Sequence, residues 1–133
     1  MINKIINEMI TYFNNDVKRI NHALKVYGFA NAISSSENLS QDQSQIIGLS
    51  AILHDIGIKE AEKKHNSCAG KYQEIEGPPI ARQILKNHQI NPEIIERVCF
   101  LIGNHHSYQK IDGIDFQILV EADFLVNIFE DSI

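Results

Sequence analysis

The sequence predicts an all-α domain, and three observations support that fold class. Apolar residues recur at helical spacing over several long segments, whereas the strict alternation that is typical of strands is scarce. The chain holds only 7 glycines and 3 prolines, so residues that break helices are few. Its 133 residues and hydrophobic content of 44% are typical of one globular domain. We therefore predict a single domain over residues 1–133, built as a compact bundle of about six helices.

The first three helices are predicted from the spacing of their apolar residues and from their caps. Residues 2–14 form one amphipathic stripe, and Asp16 is placed to cap the next helix. That second helix, predicted over 17–33, is apolar on two faces, which is typical of a central helix. The third begins with the capping-box pattern Ser40–Gln43 and ends before Gly57.

The second half of the chain begins with its least regular segment. Residues 57–77 are charged and contain two glycines, so we predict a connection that is either functional or disordered. Pro78-Pro79 and Asn91-Pro92 each predict the start of a helix, because proline suits the first helical turn. The predicted helices cover residues 78–88, 91–104 and 115–130, with a polar loop over 107–114.

The charge balance and the cysteines limit the partners and the location of the protein. There are 12 Lys+Arg against 17 Asp+Glu, a net charge of −5 that does not favour duplex nucleic acid. We find neither an apolar run that could span a membrane nor a signal peptide, so we expect a cytoplasmic protein without a membrane partner. Cys68 and Cys99 are not spaced as a zinc pair and are expected to be free thiols.

Several polar residues lie in line with the apolar stripes of predicted core helices. They are His22, His54, His105 and Asp123. Asp123 lies in the run EADFL, and its helix contains no basic residue that could pair with it. Burying a carboxylate or an imidazole without a partner is costly, and one metal ion would pair with several of them. Imidazole and carboxylate ligands together suit Mn, Fe, Co, Ni or Zn.

Some histidines in this pattern also fit purely structural roles. His88 is in register with an apolar stripe, but it lies near a helix C-terminus, where histidine often interacts with the helix dipole. Taken alone, His22 fits a hydrogen-bonded core histidine as well as it fits a ligand. The adjacent pair His54-Asp55 is the strongest local feature, because two neighbouring side chains at a helix end can both reach one ion.

The chain resembles the HD-domain metal-dependent phosphohydrolase superfamily in its H…HD…D pattern. The pattern consists of His22 in RINHALKVYGFA, His54-Asp55 in LSAILHDIG and Asp123 in ILVEADFL. The resemblance spans nearly the whole chain. It implies an all-helical domain with a metal ion between core helices, and it implies that these four residues are the ligands of the first metal.

The resemblance also implies a second metal site in some members, with Asp55 as the bridging ligand. Glu76 in EGPPIARQIL stands where such members have a histidine, and LIGNHH supplies His105 and His106. We therefore expect a second, weaker site at Glu76 and His105, with His106 as an outer or alternative ligand. The expected cofactor is one or two divalent ions per chain, drawn from Mn, Fe, Co, Ni, Zn and Mg.

The implied activity is phosphohydrolysis, in which a metal-activated hydroxide attacks a phosphomonoester, a phosphodiester or a nucleotide. The expected catalytic residues are Asp55, His65 and Lys59. Many relatives carry a lysine three residues after the aspartate, at the place of Ile58 here, and Lys59 follows one residue later. Further candidates for contacts with phosphate are Lys63, Lys64 and Arg82, although charged runs are usually solvated.

Two other functions fit the same pattern. One is a di-iron oxygenase of the HD type, and the other is a non-catalytic ligand-binding or signalling module. Intact metal ligands argue against the module, because a protein that only packs has no need for buried His and Asp. The segment SYQKIDGID lacks the GYP signature, so hydrolysis of cyclic dinucleotides is not assigned. The expected partner is a small phosphorylated molecule or nucleotide, and a homo-oligomer is compatible with the sequence.

Overall fold

The computed structural model describes residues 1–131, and most of the described chain is helical. The helices are α1 (Ile2–Phe13), α2 (Val17–Ser35), α3 (Gln41–Leu53), α4 (Ile58–His65), α5 (Gly70–Asn87), α6 (Pro92–Ile102) and α7 (Ile114–Asp131). A short 3-10 turn, Tyr108–Lys110, lies between α6 and α7. The prediction of an all-α bundle is confirmed, with seven α-helices in residues 1–131 instead of about six.

The helix starts that were predicted from capping residues are confirmed. Asp16 accepts a hydrogen bond from the backbone of Arg19 at the start of α2. Ser40 and Gln43 form the predicted capping box at the start of α3. The side chain of Asn91 accepts from the backbone of Glu93 in the first turn of α6. These caps are local interactions, which explains why the sequence alone predicts them.

The prediction of an irregular connection over residues 57–77 is wrong, because this segment contains α4 and the first half of α5, whereas a functional role of the segment stays a prediction. α4 was missed because only Ile58 and Ala61 of its eight residues are buried, so it has no long apolar stripe. The predicted helix start at Pro78-Pro79 is also wrong, because α5 begins at Gly70 and continues through both prolines. A proline removes one helical hydrogen bond and strains the residue before it, and Gly77 tolerates that strain because it lacks a Cβ.

The core is organised around α3, which packs against α1, α2, α6 and α7. One apolar cluster joins α3 to α1, α5 and α6, and a second joins α3 to α2 and α7. As a result, seven consecutive residues of α3, Ile47–Leu53, are buried. α3 therefore carries its C-terminal end, and the turn that follows, into the middle of the bundle. No helix in residues 1–131 is both long and apolar enough to cross a lipid bilayer.

A tight backbone contact holds the turn after α3 against α5. A Cβ built on Gly57 would lie 2.5 Å from the backbone nitrogen of Gly77 and 2.8 Å from the carbonyl oxygen of Gln73. A Cβ on Gly77 would lie 2.8 Å from the side chain of Ile102 in α6. The two glycines therefore let α4, α5 and α6 converge immediately behind the turn.

We expect Gly57→Ala to destabilise the protein by about 1–3 kcal/mol, because the new methyl group meets backbone atoms that cannot rotate away. Gly28→Ala is the matched control. Gly28 lies inside α2 with open space around its Cα, so alanine is expected to stabilise by about 0.5–1 kcal/mol. Urea unfolding with a chelator present measures both changes. Equal effects of the two substitutions would contradict the close contact.

Candidate metal centre

Three helices bring four metal-binding side chains to one place. His22 lies in α2, His54 and Asp55 lie in the turn after α3, and Asp123 lies in α7. Because α3 packs against both α2 and α7, the end of α3 lies between the other two helices. These four residues are called the first group below. His54 is fully buried, and the other three side chains are mostly buried.

The donor atoms of the first group converge closely. Asp123 Oδ1 lies 3.0 Å from His22 Nε2 and 3.3 Å from His54 Nε2. Asp55 Oδ2 lies 3.4 Å from His22 Nε2 and 3.3 Å from His54 Nε2. The two imidazole nitrogens are 3.3 Å apart. The structure therefore brings the whole predicted quartet together.

This geometry fits a common metal ion. Metal bonds to imidazole nitrogen and carboxylate oxygen are about 2.0–2.2 Å long, which places neighbouring donor atoms of one ion about 3.0–3.5 Å apart. The separations in the first group fall in that range. The donor set of two imidazoles and two carboxylates suits a divalent transition ion.

Hydrogen bonds hold a proton on Nδ1 of both histidines, which leaves Nε2 as the atom that can bind a metal once its own proton is displaced. His54 Nδ1 donates to the carbonyl oxygen of Ala51, 2.7 Å away. His22 Nδ1 donates to Glu130 Oε1, 2.9 Å away, and Lys25 Nζ donates to the other oxygen of Glu130 at 3.2 Å. Outer partners of this kind orient a metal-binding histidine and make it a stronger ligand.

The electrostatics of the first group favour a cation. Burial lowers the pKa of His54, but the charges of Asp55 and Asp123 outweigh burial and hold that pKa well above its ordinary value. Burial raises the pKa of Asp123, but His54 and His22 outweigh burial and hold that pKa far below its ordinary value. Both shifts show that the carboxylates attract positive charge. A metal ion that binds there displaces histidine protons, because ligands must be deprotonated.

A second group shares Asp55 with the first. One potential ligand atom each of Asp55, His105 and His106 lies within 4.8 Å of the others. Asp55 Oδ2 faces the first group, whereas its Oδ1 lies 3.5 Å from His105 Nε2. His105 Nδ1 donates to the carbonyl oxygen of Ile102 at 2.7 Å. His105 Nε2 is buried and has no hydrogen-bond partner among the described residues, so it is available as a metal ligand.

His106 is held by residues that the sequence analysis did not single out. The amide nitrogen of Gln73 donates to the carbonyl oxygen of Cys68 at 2.6 Å, so the amide oxygen faces His106 Nε2 at 3.1 Å. His106 Nε2 is then a donor, and its Nδ1 is the atom left for a metal. Glu74 accepts from the backbone nitrogen of His106 and from the hydroxyl of Ser107.

Glu76 and His65 contact each other in the structure. Glu76 accepts from His65 Nε2 at 2.9 Å and from Lys64 Nζ at 3.2 Å. The His65 ring stacks on Tyr72, with 4.3 Å between the ring centroids. Neither group of potential metal ligands in residues 1–131 includes Glu76, so its role as a ligand stays a prediction.

The remaining basic candidates have partners of their own or lie in solvent. Lys59 Nζ donates to the carbonyl oxygen of Tyr12 in α1 at 3.2 Å, because moving one residue along α4 from the buried Ile58 turns a side chain by about 100°. Arg82 pairs with Glu96 on the surface. Lys63 is exposed. The structure therefore does not bring these residues together with the first group, and their catalytic roles stay predictions.

Glu130 was missed by the sequence analysis, although a signal was present. It lies seven residues after Asp123, so two helical turns place both on one face of α7. Asn127, between them, also faces the site, since its amide donates to Asp123 Oδ1 at 3.3 Å. A polar stripe over 123, 127 and 130 therefore marks the metal side of α7. His88, which was interpreted as structural, pairs with Glu8 and belongs to neither group of potential metal ligands in residues 1–131.

We expect Glu130→Ala to weaken metal binding about 10–100-fold, because His22 loses the partner that fixes its tautomer and orientation. Titration with Mn measures the affinity. Glu8→Ala is the matched control, since it removes the same kind of carboxylate–histidine contact at His88, 2.7 Å long and outside the site. If both variants bind Mn as tightly as the wild type, Glu130 does not support His22.

Comparison with known proteins agrees with this geometry. The family model described as HD domain matches residues 19–126, which is most of the chain. Searches of curated proteins and of solved structures found no significant match. The matched range contains every residue of both groups of potential metal ligands, whereas Glu130 lies outside it. The chain therefore belongs to the HD-domain metal-dependent phosphohydrolase superfamily.

Proposed function

We propose that this protein hydrolyses a phosphate ester or anhydride bond of a small phosphorylated molecule or nucleotide. The observation that carries the proposal is the convergence of the first group, in which a carboxylate oxygen of Asp55 and one of Asp123 each lie 3.0–3.4 Å from both histidine Nε2 atoms, and each histidine Nδ1 is held by a hydrogen bond. A bound divalent cation would act as a Lewis acid. It would lower the pKa of bound water towards neutral pH and stabilise negative charge on a phosphoryl group.

The residues of the two groups would hold the ions. His22, His54 and Asp123 would hold the first ion, and Asp55 would contact both metal positions through its two oxygens. His105 and His106 would complete the second position. A carboxylate between two ions suits a reaction that must stabilise both the attacking and the leaving oxygen. This arrangement supports hydrolysis more directly than it supports a binding module, which needs no such bridge.

His65 is the proposed contact for the substrate. Its ring is partly exposed, is stacked on Tyr72, and has Nε2 held by Glu76. Glu76 precedes Gly77, whose backbone touches Gly57 in the turn that carries Asp55. This chain of contacts supports a place for His65 beside the site, where its protonated ring would donate the proton on Nδ1 to the leaving oxygen while Nε2 stays bonded to Glu76. Lys64, which also bonds Glu76, adds positive charge there for phosphate.

The test begins with metal analysis of the purified protein, followed by assays with phosphomonoesters, phosphodiesters and nucleotides in the presence of Mn, Co, Ni or Mg. We expect metal-dependent release of phosphate or of a nucleoside phosphate, and its loss in EDTA. An iron-bearing, coloured protein that consumes dioxygen and releases no phosphate would overturn the proposal in favour of a di-iron oxygenase. A metal-loaded protein that is inactive on every substrate class would favour a binding module.

A further inference from the structure

A cluster of large apolar side chains is exposed on the side of the bundle formed by α2 and α7. In α7 the exposed fractions are 60% for Phe124, 43% for Leu125, 47% for Ile128 and 58% for Phe129. In α2 the exposed fraction of Phe29 is 39%. These five residues are called the α2–α7 face. Ala122 and Val126 of the same stretch of α7 are buried in the core, so apolar side chains lie on both the core side and the solvent side of this helix, beside the polar stripe over 123, 127 and 130. An exposed apolar patch of this kind is typical of an interaction surface.

The α2–α7 face is one continuous surface. Phe124, Leu125, Ile128 and Phe129 follow each other at the spacing of one helix face. A depression between the helices is lined by Ile33 of α2 together with Phe124 and Leu125. Ile33 lies one helical turn after Phe29, so the exposed ring of Phe29 belongs to the same surface.

We propose that the α2–α7 face binds the same face of a second copy of this chain, forming a two-fold symmetric dimer. The area supports this partner. The three phenylalanines alone expose about 300 Å², given roughly 200 Å² for a fully exposed ring. A standard interface buries about 800 Å² per partner, of which about 450 Å² is apolar. The aliphatic residues Leu125 and Ile128 supply most of the remainder.

Charged residues at the two ends of the α2–α7 face would meet residues of opposite charge on the second copy if a two-fold axis relates the copies. α2 and α7 run antiparallel, because His22 contacts Glu130 while Ile33 lies beside Glu121. Lys25, which bonds Glu130, therefore lies at one end of the face and Glu121 lies at the other. When two copies of α7 pack antiparallel, Glu121 of each chain approaches the end where the other chain carries Lys25 and His22 on either side of Glu130. A two-fold contact needs such self-complementarity.

Sedimentation velocity over a concentration series tests the proposal on the whole chain. We expect a dimer for the wild type and a monomer for Phe124→Glu/Phe129→Glu, with association weakened at least a hundredfold. Ile75→Glu is the matched control and should remain dimeric, because Ile75 is equally exposed, at 58%, but lies on α5. Circular dichroism checks that each variant is helical, and Leu125→Lys replaces the double variant if that one unfolds. The proposal would be overturned if the wild type stayed monomeric over the whole concentration series. It would also be overturned if a folded variant of the α2–α7 face still dimerised as the wild type does.

Discussion

Replacing Asp55 with alanine is expected to remove bound metal and activity together, and this is the largest effect we predict. Asp55 Oδ2 lies within 3.4 Å of His22 Nε2 and within 3.3 Å of His54 Nε2, while Oδ1 faces His105. Asp55 therefore contacts both groups, the first through Oδ2 and the second through Oδ1. The loss should exceed the 10–100-fold that removal of an outer partner costs, because a metal–ligand bond and a compensating charge disappear together.

The measurements are metal content per chain and turnover, each compared with the wild type. Asp55→Asn refines the test, since it keeps the shape and removes only the charge. The control is Asp115→Asn, because Asp115 is a buried carboxylate of α7 that is held by Arg97 instead of by the metal site. The control is expected to lose stability but keep its metal. Full metal occupancy and unchanged turnover in Asp55→Ala would refute the proposed role of Asp55.

The sequence alone predicted the long helices because their signals are local. The spacing of apolar residues in α1 and the capping box of α3 depend on residues a few positions apart. α4 and the continuation of α5 through Pro78 could not be predicted in that way. α4 packs against α5, and Gly57 meets Gly77 in a close backbone approach between residues that are far apart in the sequence. Tertiary packing of this kind is not visible in the local pattern, in which prolines favour a helix start.

The same distinction separates the predicted site residues from the missed ones. In the first group, His22, His54 and Asp123 are in line with apolar stripes and Asp55 adjoins His54, so the sequence marks all four. Gln73 and Glu74 act only through His106, across 32 or more residues of chain, and carry no local mark. Lys59 illustrates the reverse case. Its position in the sequence suggested the site, but the helical rotation from Ile58 directs it to Tyr12 in α1.

We expect His105→Leu to remove the second, weaker metal site and to leave the first site intact. His105 Nε2 is buried without a partner among the described residues, and Asp55 Oδ1 lies 3.5 Å away. Leucine fills a similar volume without a ligand atom. In the metal-free protein the cost is limited to about 1 kcal/mol, because the variant loses one hydrogen bond to Ile102 but also removes an unsatisfied buried nitrogen.

Binding isotherms with Mn measure the outcome, and two sites in the wild type should become one in His105→Leu. His88→Leu serves as the control, because His88 bonds Glu8 away from the site and its loss should leave both Mn sites in place. Glu76→Ala separates the two accounts of the second site. Since Glu76 is held by His65 and Lys64, we expect Glu76→Ala to weaken Mn binding at the second site less than His105→Leu does. An equal loss in both variants would make Glu76 a ligand, whereas two unchanged sites in His105→Leu would show that the buried nitrogen binds no metal.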